Sequence, residues 1–122
     1  MGCGSLVVAA VSVLLATAAS AQNYPDHPVT VVVPFAAGGP TDTVARLISE
    51  PMTASLGQQL IVENVGGARG TLGAARVAKA EPDGYTLLLH HIGQATSVSL
   101  YRKLPYKPGE AFAPVGLVTD VR

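Results

Sequence analysis

Three short runs rich in β-prone residues lie along the chain, separated by two longer segments in which apolar residues recur at helical spacing. The runs cover residues 29–33, 59–64 and 85–90. The first and third are almost continuously apolar, which predicts strands that are buried on both faces. Strands that alternate with helices predict an α/β fold with a parallel sheet and right-handed crossovers.

The first helical segment follows the first predicted strand. Thr41 or Asp42 is the expected N-cap, because a side-chain oxygen can accept from the amides of the first turn, and Gly57 is the expected stop. Pro51 is expected to kink this helix or to divide it near Glu50. The residues expected on its inner face are Val44, Leu47, Ile48 and Leu56.

The second helical segment covers residues 71–80 and is rich in alanine. Its expected core contacts are Leu72, Ala75, Val77 and Ala78. After the third strand we expect one helical turn near residues 97–101, and residues 113–120 are a candidate fourth strand.

Residues 1–21 have the pattern of a secretory signal peptide, with an apolar centre and the A-x-A sequence Ala19, Ser20, Ala21 at its end. The apolar centre is shorter than the roughly 20 residues that span a bilayer. No Lys or Arg precedes it, so either the true start lies upstream or the signal is weak. We expect cleavage after Ala21 and no direct membrane insertion of the mature part.

The composition excludes several classes of function. The chain has 8 basic and 8 acidic residues, and no basic run with interleaved aromatic residues indicates a nucleic-acid partner. Cys3 is the only cysteine and precedes the predicted cleavage site, so the mature part would have neither a disulfide nor a thiolate metal ligand. His90 and His91 are adjacent and would face opposite sides of a strand, with His27 far away, so we predict no metal site.

Motifs for catalysis and for cofactors are missing from the sequence. The chain has no G-x-S-x-G elbow, no H-E-x-x-H and no P-loop. Residues 66–73, GGARGTLG, are rich in glycine but lack the dinucleotide fingerprint. We therefore expect no enzyme and no cofactor.

Three glycine-containing loops follow the three predicted strands: residues 34–41, 65–70 and 91–95, the first, second and third loop. In a parallel sheet these loops meet at the carboxyl edge, where ligands bind. The first and second loops lead into helix N-termini, whose unpaired amides and partial positive charge suit an anion. The alternative is that Gly38 and Gly39 only provide a tight turn, and the residues alone leave both interpretations open.

The charged and imidazole side chains of these loops have competing interpretations. Asp42 is interpreted first as a helix cap and second as a ligand contact, because a carboxylate repels an anion. Arg69 is expected in solvent, with pairing to a carboxylate as the alternative. His90 is expected in packing or at the surface, whereas His91 lies at the strand end and could reach a ligand.

Several longer segments together resemble one protein family. They are YPDHPVTVVVPFAAGGPTDTVARL, VEN, GAARVAKAEPDGYTLLL and LYRKLPYKPGEAFAPVGLV, in this order and spacing. The chain is similar over nearly all of residues 24–118 to the substrate-binding receptors of tripartite tricarboxylate transporters, the Bug family. PFAAGGPTD, PDGYTLL and LPY in register carry the specificity of this resemblance.

The resemblance implies a two-domain, periplasmic-binding-protein-like (Venus flytrap) α/β fold. Such a receptor holds a small organic carboxylate between its domains, without chemistry, and delivers it to the permease subunits of a membrane transporter. The family uses backbone amides of the loop after the first strand and of the loop after the third strand. Carried onto this chain, the implied substrate-binding residues are Phe35, Ala36, Ala37, Gly38, Gly39, Pro40, Thr41, Asp42, His91, Ile92, Gly93 and Gln94.

The sequence departs from the family pattern in its second loop, which reads GGARG where PGAGG is common, so that Arg69 alters its shape and charge. Family receptors are roughly three times as long. We therefore expect residues 22–122 to be the N-terminal part of domain 1, with the second domain absent, and we expect weak or no binding by this chain alone. Two alternatives stay open: a truncated fragment without function, and a nucleotide-binding α/β enzyme fragment.

Overall fold

The computed structural model describes residues 23–120, so the predicted signal peptide lies outside the described residues. The elements, in order along the chain, are β1 (Val29–Val33), α1 (Pro40–Leu56), β2 (Leu60–Asn64), a 3-10 turn (Ala68–Gly70), α2 (Thr71–Ala78), β3 (Thr86–Leu88) and α3 (Gly93–Leu100). The sheet has the order β2-β1-β3 and both pairings are parallel. The predicted α/β fold with a parallel sheet is confirmed.

Strand β1 is the centre of the fold, and four of its five residues are at most 4% exposed. On one face, Val29, Val31 and Leu60 form a core against which Met52 and Leu56 of α1 pack. On the other face, a second core contains Ala74 and Ala75 of α2 together with Tyr106. Because helices cover both faces, the strand needs apolar side chains in both directions, which explains its continuous valine run.

Helix α1 differs from the prediction at its start, its middle and its inner face. It begins at Pro40 with Gly39 as the N-cap, so neither Thr41 nor Asp42 caps it. It continues through Pro51 to Leu56 and is not divided near Glu50. Leu47 is 72% exposed, because Ala45, Met52 and Leu56 set the face that packs on the sheet.

The remaining predictions for the elements are partly correct. Gly57 ends α1 in a left-handed conformation with φ 73°, as expected. Leu72, which was expected in the core, is 56% exposed. Ala74 is 0% exposed and occupies the inner position instead. Helix α3 is longer than the single turn expected at residues 97–101. Residues 113–120 are irregular and exposed, so the candidate fourth strand is not formed.

A small aromatic cluster lies at the amino end of the sheet. The ring of His27 stacks on Tyr85 with centroids 3.6 Å apart, and Tyr24 meets Tyr85 edge-on at 4.9 Å. The Tyr85 hydroxyl donates to Asp26 Oδ1 over 2.8 Å. These contacts attach the start of the described chain to the beginning of β3.

Among residues 23–120, no helix has the length and apolar character that crossing a membrane requires.

Candidate functional site

The three loops meet at the carboxyl end of the sheet, as the parallel topology predicts. A Cβ atom on Gly66 of the second loop would lie 3.6 Å from the backbone nitrogen of Ala36 in the first. A Cβ on Gly70 would lie 2.8 Å from Nε2 of His90 and 3.2 Å from the ring of Phe35. Gly66 and Gly70 therefore let the second loop approach the first loop and the end of β3 closely.

The first loop leaves β1 at the fully buried Pro34 and turns into α1 through Gly38. Gly38 has φ 85°, a left-handed conformation that costs other L-residues energy. Gly39 has extended backbone, with φ −79° and ψ 174°, and precedes Pro40 at the first helical position. Ala36, Ala37 and Gly38 are exposed at the tip of the turn.

Asp42 holds the turn from inside. Its side chain is 3% exposed, and Oδ2 accepts the Gly38 N–H at 2.8 Å and Arg46 Nε at 3.0 Å. Oδ1 accepts from Nδ2 of Asn64 at 3.0 Å. The same Asn64 amide donates to the Phe35 carbonyl at 3.2 Å, so the end of β2 and both ends of the first loop are joined by one hydrogen-bond network.

This network also controls the charge of Asp42. The hydrogen bond from Arg46, followed by those from the Gly38 amide and Asn64, lowers the pKa of Asp42 from 3.8 to about 2. Asp42 is therefore ionised throughout the neutral range. Its carboxylate faces the inside of the turn, and the interpretation of Asp42 as an N-cap is wrong because the helix begins two residues before it.

The first loop retains backbone donors for a ligand. The Gly38 N–H is taken by Asp42, and the Gly39 N–H points to the Ala36 carbonyl at 3.4 Å. Within the part of the chain that the structure describes, the N–H groups of Ala36, Ala37 and Thr41 have no protein acceptor. Ala36 and Ala37 precede the 17-residue helix and Thr41 lies in its first turn, a position where open N–H groups favour an anion.

The third loop contributes two imidazole rings that pack on Phe35 of the first loop. His91 stacks on Phe35 with centroids 4.5 Å apart and planes 13° from parallel, and His90 meets the same ring edge-on at 5.2 Å. His91 Nδ1 accepts the Gly93 N–H at 2.9 Å, which fixes the tautomer with hydrogen on Nε2. Burial lowers the pKa of His90, so this ring is neutral at pH 7.

Gln94, at the second position of α3, carries an amide group without a hydrogen-bond partner among the described residues. Both Oε1 and Nε2 are shielded from solvent and have no hydrogen-bond partner within residues 23–120. Shielded polar atoms of this kind are costly unless something satisfies them. An amide can donate to a carboxylate and accept from a hydroxyl.

The second loop contributes a charge on a strained backbone. Ala68 and Arg69 have φ values of 48° and 53°, and among the described residues they are the only non-glycine residues with positive φ. Gly70 donates its N–H to the Gly67 carbonyl at 3.0 Å, and Thr71 Oγ1 donates to the Ala68 carbonyl at 2.9 Å. Tyr101 at the end of α3 also donates to Ala68, at 3.1 Å.

The structure thus brings the predicted site residues of the first and third loops to one end of the sheet, with Ile92 exposed at the rim. Asn64 and Arg46, which position Asp42, were not among the predicted site residues. The signal that could have found Asn64 is its place as a polar residue at the carboxyl end of β2, the edge where ligands bind. Among residues 23–120, no cluster of three or more histidine, cysteine, aspartate or glutamate residues could hold a metal ion.

Residues 44–121 match the model of the tripartite tricarboxylate transporter family receptor. The chain belongs to this receptor family. The UPF0065 protein in the TAR-I ttuE-ttuC' intergenic region of Agrobacterium vitis is 58% identical over 117 residues, covering 95% of this chain and 34% of that protein. Protein BugT of Bordetella pertussis is 40% identical over 122 residues, covering 94% of this chain and 37% of that protein.

Solved structures of receptors in this family have the same fold. The periplasmic binding protein BugD superimposes with a TM-score of 0.74 at 55% identity, over 76% of this chain and 31% of BugD. MatC from Rhodopseudomonas palustris, with bound malate, gives 0.75 at 55% identity, over 78% of this chain and 33% of MatC. A third structure, R. palustris Rpa4515 with adipate, superimposes with a TM-score of 0.67 at 39% identity, over 71% of this chain and 29% of Rpa4515.

The family is one of receptors and BugD is a periplasmic binding protein, which argues against the alternative of a nucleotide-binding enzyme fragment. The chain spans about one third of the length of the curated relatives that it matches.

Proposed function

We propose that this chain provides one wall of the binding site of a periplasmic receptor for a small organic carboxylate. Loop amides hold one carboxylate group of the solute, and the receptor delivers it to the permease subunits of a tripartite tricarboxylate-type membrane transporter. Residues 1–21 are the export signal in this proposal, and residues 22–122 form the N-terminal part of the first domain. The function needs neither a cofactor nor a metal.

The observation that carries the proposal is the set of open N–H groups on Ala36, Ala37 and Thr41. They lie at a helix N-terminus, where the helix dipole favours negative charge by about 0.3–1 kcal/mol, and by up to ~2 kcal/mol when partly buried. The nearest carboxylate of the protein, Asp42, is turned inward and accepts three hydrogen bonds, so its charge is already compensated.

The relatives support the class of ligand. MatC is described with malate and Rpa4515 with adipate, and both are dicarboxylates. In the proposed site, Phe35 through Asp42 form the backbone cradle, while His91, Ile92, Gly93 and Gln94 contribute the opposite rim. The unpaired amide of Gln94 would add a side-chain contact to a hydroxyl or carboxylate of the solute.

Replacing Gly39 by valine tests the backbone mechanism. The Gly39 backbone has a conformation that valine adopts readily, but the new Cβ would lie 3.4 Å from the Ala36 carbonyl and crowd the cradle. We expect calorimetry to show a loss of malate affinity of at least tenfold with little change in melting temperature. The protein for this experiment is a chimera in which residues 23–120 replace the matching third of MatC.

The matched control is Gly109→Val, because a Cβ at Gly109 would meet no atom within 4 Å and its φ is not positive. This variant should bind malate like the parent chimera. If Gly39→Val binds as tightly as Gly109→Val, the backbone cradle does not hold the acid. If the folded parent chimera does not bind malate, the proposed function fails as a whole.

A further inference from the structure

Arg69 is the only lysine or arginine in the three loops that meet at the carboxyl end of the sheet. Arg69 is exposed, and its guanidinium has no hydrogen-bond or ion-pair partner within residues 23–120. By contrast, Arg46 is bound to Asp42 and Arg76 is paired with Glu63 over 2.7 Å. Among these three arginines, Arg69 alone has no partner within residues 23–120.

The backbone of Arg69 is held where side chains are unfavourable. Its φ of 53° and ψ of 37° lie in the left-handed region, next to Ala68 in the same region. Glycine would adopt this conformation without steric cost, whereas arginine does not. Three hydrogen bonds enforce it, because Ala68 accepts from Thr71 and Tyr101 and the Gly70 N–H closes the turn on Gly67. Strain maintained in this way at a binding edge points to a use for the side chain.

The second loop lies directly beside the proposed carboxylate cradle. The Gly66 backbone approaches Ala36, whose N–H is one of the open donors, and Gly70 approaches Phe35 and His90. The turn that carries Arg69 therefore borders the site. A planar guanidinium binds a carboxylate through two parallel hydrogen bonds, which gives both affinity and geometric selectivity.

We propose that Arg69 binds the second carboxylate of a dicarboxylate whose first carboxylate lies on the amides of Ala36, Ala37 and Thr41. This inference rests on the proposed function and extends it, because it makes Arg69 the residue that distinguishes dicarboxylates from monocarboxylates. Without the guanidinium, the affinities for dicarboxylates and for monocarboxylates should be equal.

The test is an NMR titration of the ¹⁵N-labelled MatC chimera that carries residues 23–120, with succinate and with butyrate, which has the same carbon number but one carboxylate. In the unsubstituted chimera both acids should shift the amide signals of Ala36 and Ala37. Only succinate should shift the Arg69 Nε signal, and it should bind about tenfold more tightly than butyrate, the gain expected from one charge-assisted ion pair.

Three variants sharpen this test. Arg69→Gln should remove the preference for succinate and leave the butyrate affinity unchanged, whereas Arg69→Lys should keep part of the preference because the charge remains. Lys79→Gln is the matched charge control, because Lys79 is exposed at the end of α2 far from the loops and has no ion-pair partner within the described residues. Its preference for succinate should equal that of the unsubstituted chimera.

The outcomes separate the two proposals. If Arg69→Gln retains the preference for succinate while the Ala36 and Ala37 signals still shift, Arg69 is not the selective residue and the proposed function stands. If Lys79→Gln loses the preference as well, the effect is one of net charge and the inference is overturned. If neither acid shifts the first-loop signals in the folded, unsubstituted chimera, the proposed function and the inference fall together.

Discussion

The two ends of the sheet each have an aspartate at the centre of a hydrogen-bond network, but the two aspartates differ in how far they are buried. At the carboxyl end, Asp42 has a 3% exposed side chain and accepts from a backbone amide, an arginine and an asparagine. At the amino end, Asp26 has a 66% exposed side chain and contacts His27 and Tyr85. The buried network shapes a loop with open donors, whereas the exposed one attaches the start of the chain to β3.

Because of this difference in burial, the hydrogen bonds of an aspartate contribute differently to stability at the two ends. Water competes for every donor of Asp26, so each of its hydrogen bonds replaces one to solvent. Little water reaches the Asp42 carboxylate, so it depends on the hydrogen bonds from Gly38, Arg46 and Asn64 to compensate its charge. We therefore expect changes at the carboxyl end to alter both stability and ligand binding, and changes at the amino end to remain local.

The largest effect should come from Gly73→Ala. A Cβ at Gly73 would lie 2.7 Å from Pro34 Cβ and 2.8 Å from the Val65 carbonyl, so α2 would have to move away from the start of the first two loops. Such overpacking costs roughly 1–3 kcal/mol of unfolding free energy, which exceeds the helix-propensity gain of about 1 kcal/mol. Thermal unfolding should show a lower melting temperature, whereas Gly109→Ala, in open space, should leave it unchanged.

Asp42→Asn should have the next largest effect and is a direct test of the buried network. Only one oxygen remains to accept from Asn64, Arg46 and the Gly38 amide, so one donor must face the new NH₂ group. The melting temperature at pH 7 should fall further than in Asp26→Asn. Equal losses in the two variants would contradict the distinction between the two ends.

The same variant predicts a change in pH dependence. The folded-state pKa of Asp42, about 2, is below the ordinary value of 3.8, so its ionised form contributes stability above pH 3.8 that is lost as the pH falls toward 2. Asp42→Asn should lack this part of the acid destabilisation. The measurement is the melting temperature from pH 5 to pH 2 in both proteins.

The smallest effect should come from Tyr85→Phe at the amino end. The Tyr85 hydroxyl is the main cause that lowers the pKa of Asp26, so its removal should move this pKa back toward 3.8. An NMR titration of the Asp26 carboxyl carbon measures the change. The melting temperature and the response of the first-loop amides to succinate should stay the same. A change in either would contradict the expectation that changes at the amino end of the sheet remain local.

Much of the fold could be predicted from the sequence because its signals are local. The valine run of β1 indicates a strand covered on both faces, and alternation with helices indicates parallel pairing. The convergence of the three loops follows from that topology. The left-handed stop at Gly57 is equally local, since glycine alone adopts that conformation without strain.

The errors concern features that depend on residues far apart in sequence. The side chain of Asp42 could cap a helix or turn inward, and its partner Asn64, 22 residues later, decides between the two. Leu47 fits a helical pattern, yet the sheet selects a neighbouring stripe through Ala45 and Leu56. Residues 113–120 have a strand-like composition, but a strand also needs a partner edge, and no described residue provides one for this segment.

The hydrogen bond between Asp42 and the Gly38 amide has a consequence for the energetics of association. A carboxylate of the protein already occupies one donor of the turn, so the peptide groups around it are oriented before any solute arrives. The conformational entropy of ordering this turn is lost during folding and not during complex formation, which favours rapid capture of weakly held metabolites. Loosening that internal contact should therefore slow association even where the open amides themselves are untouched.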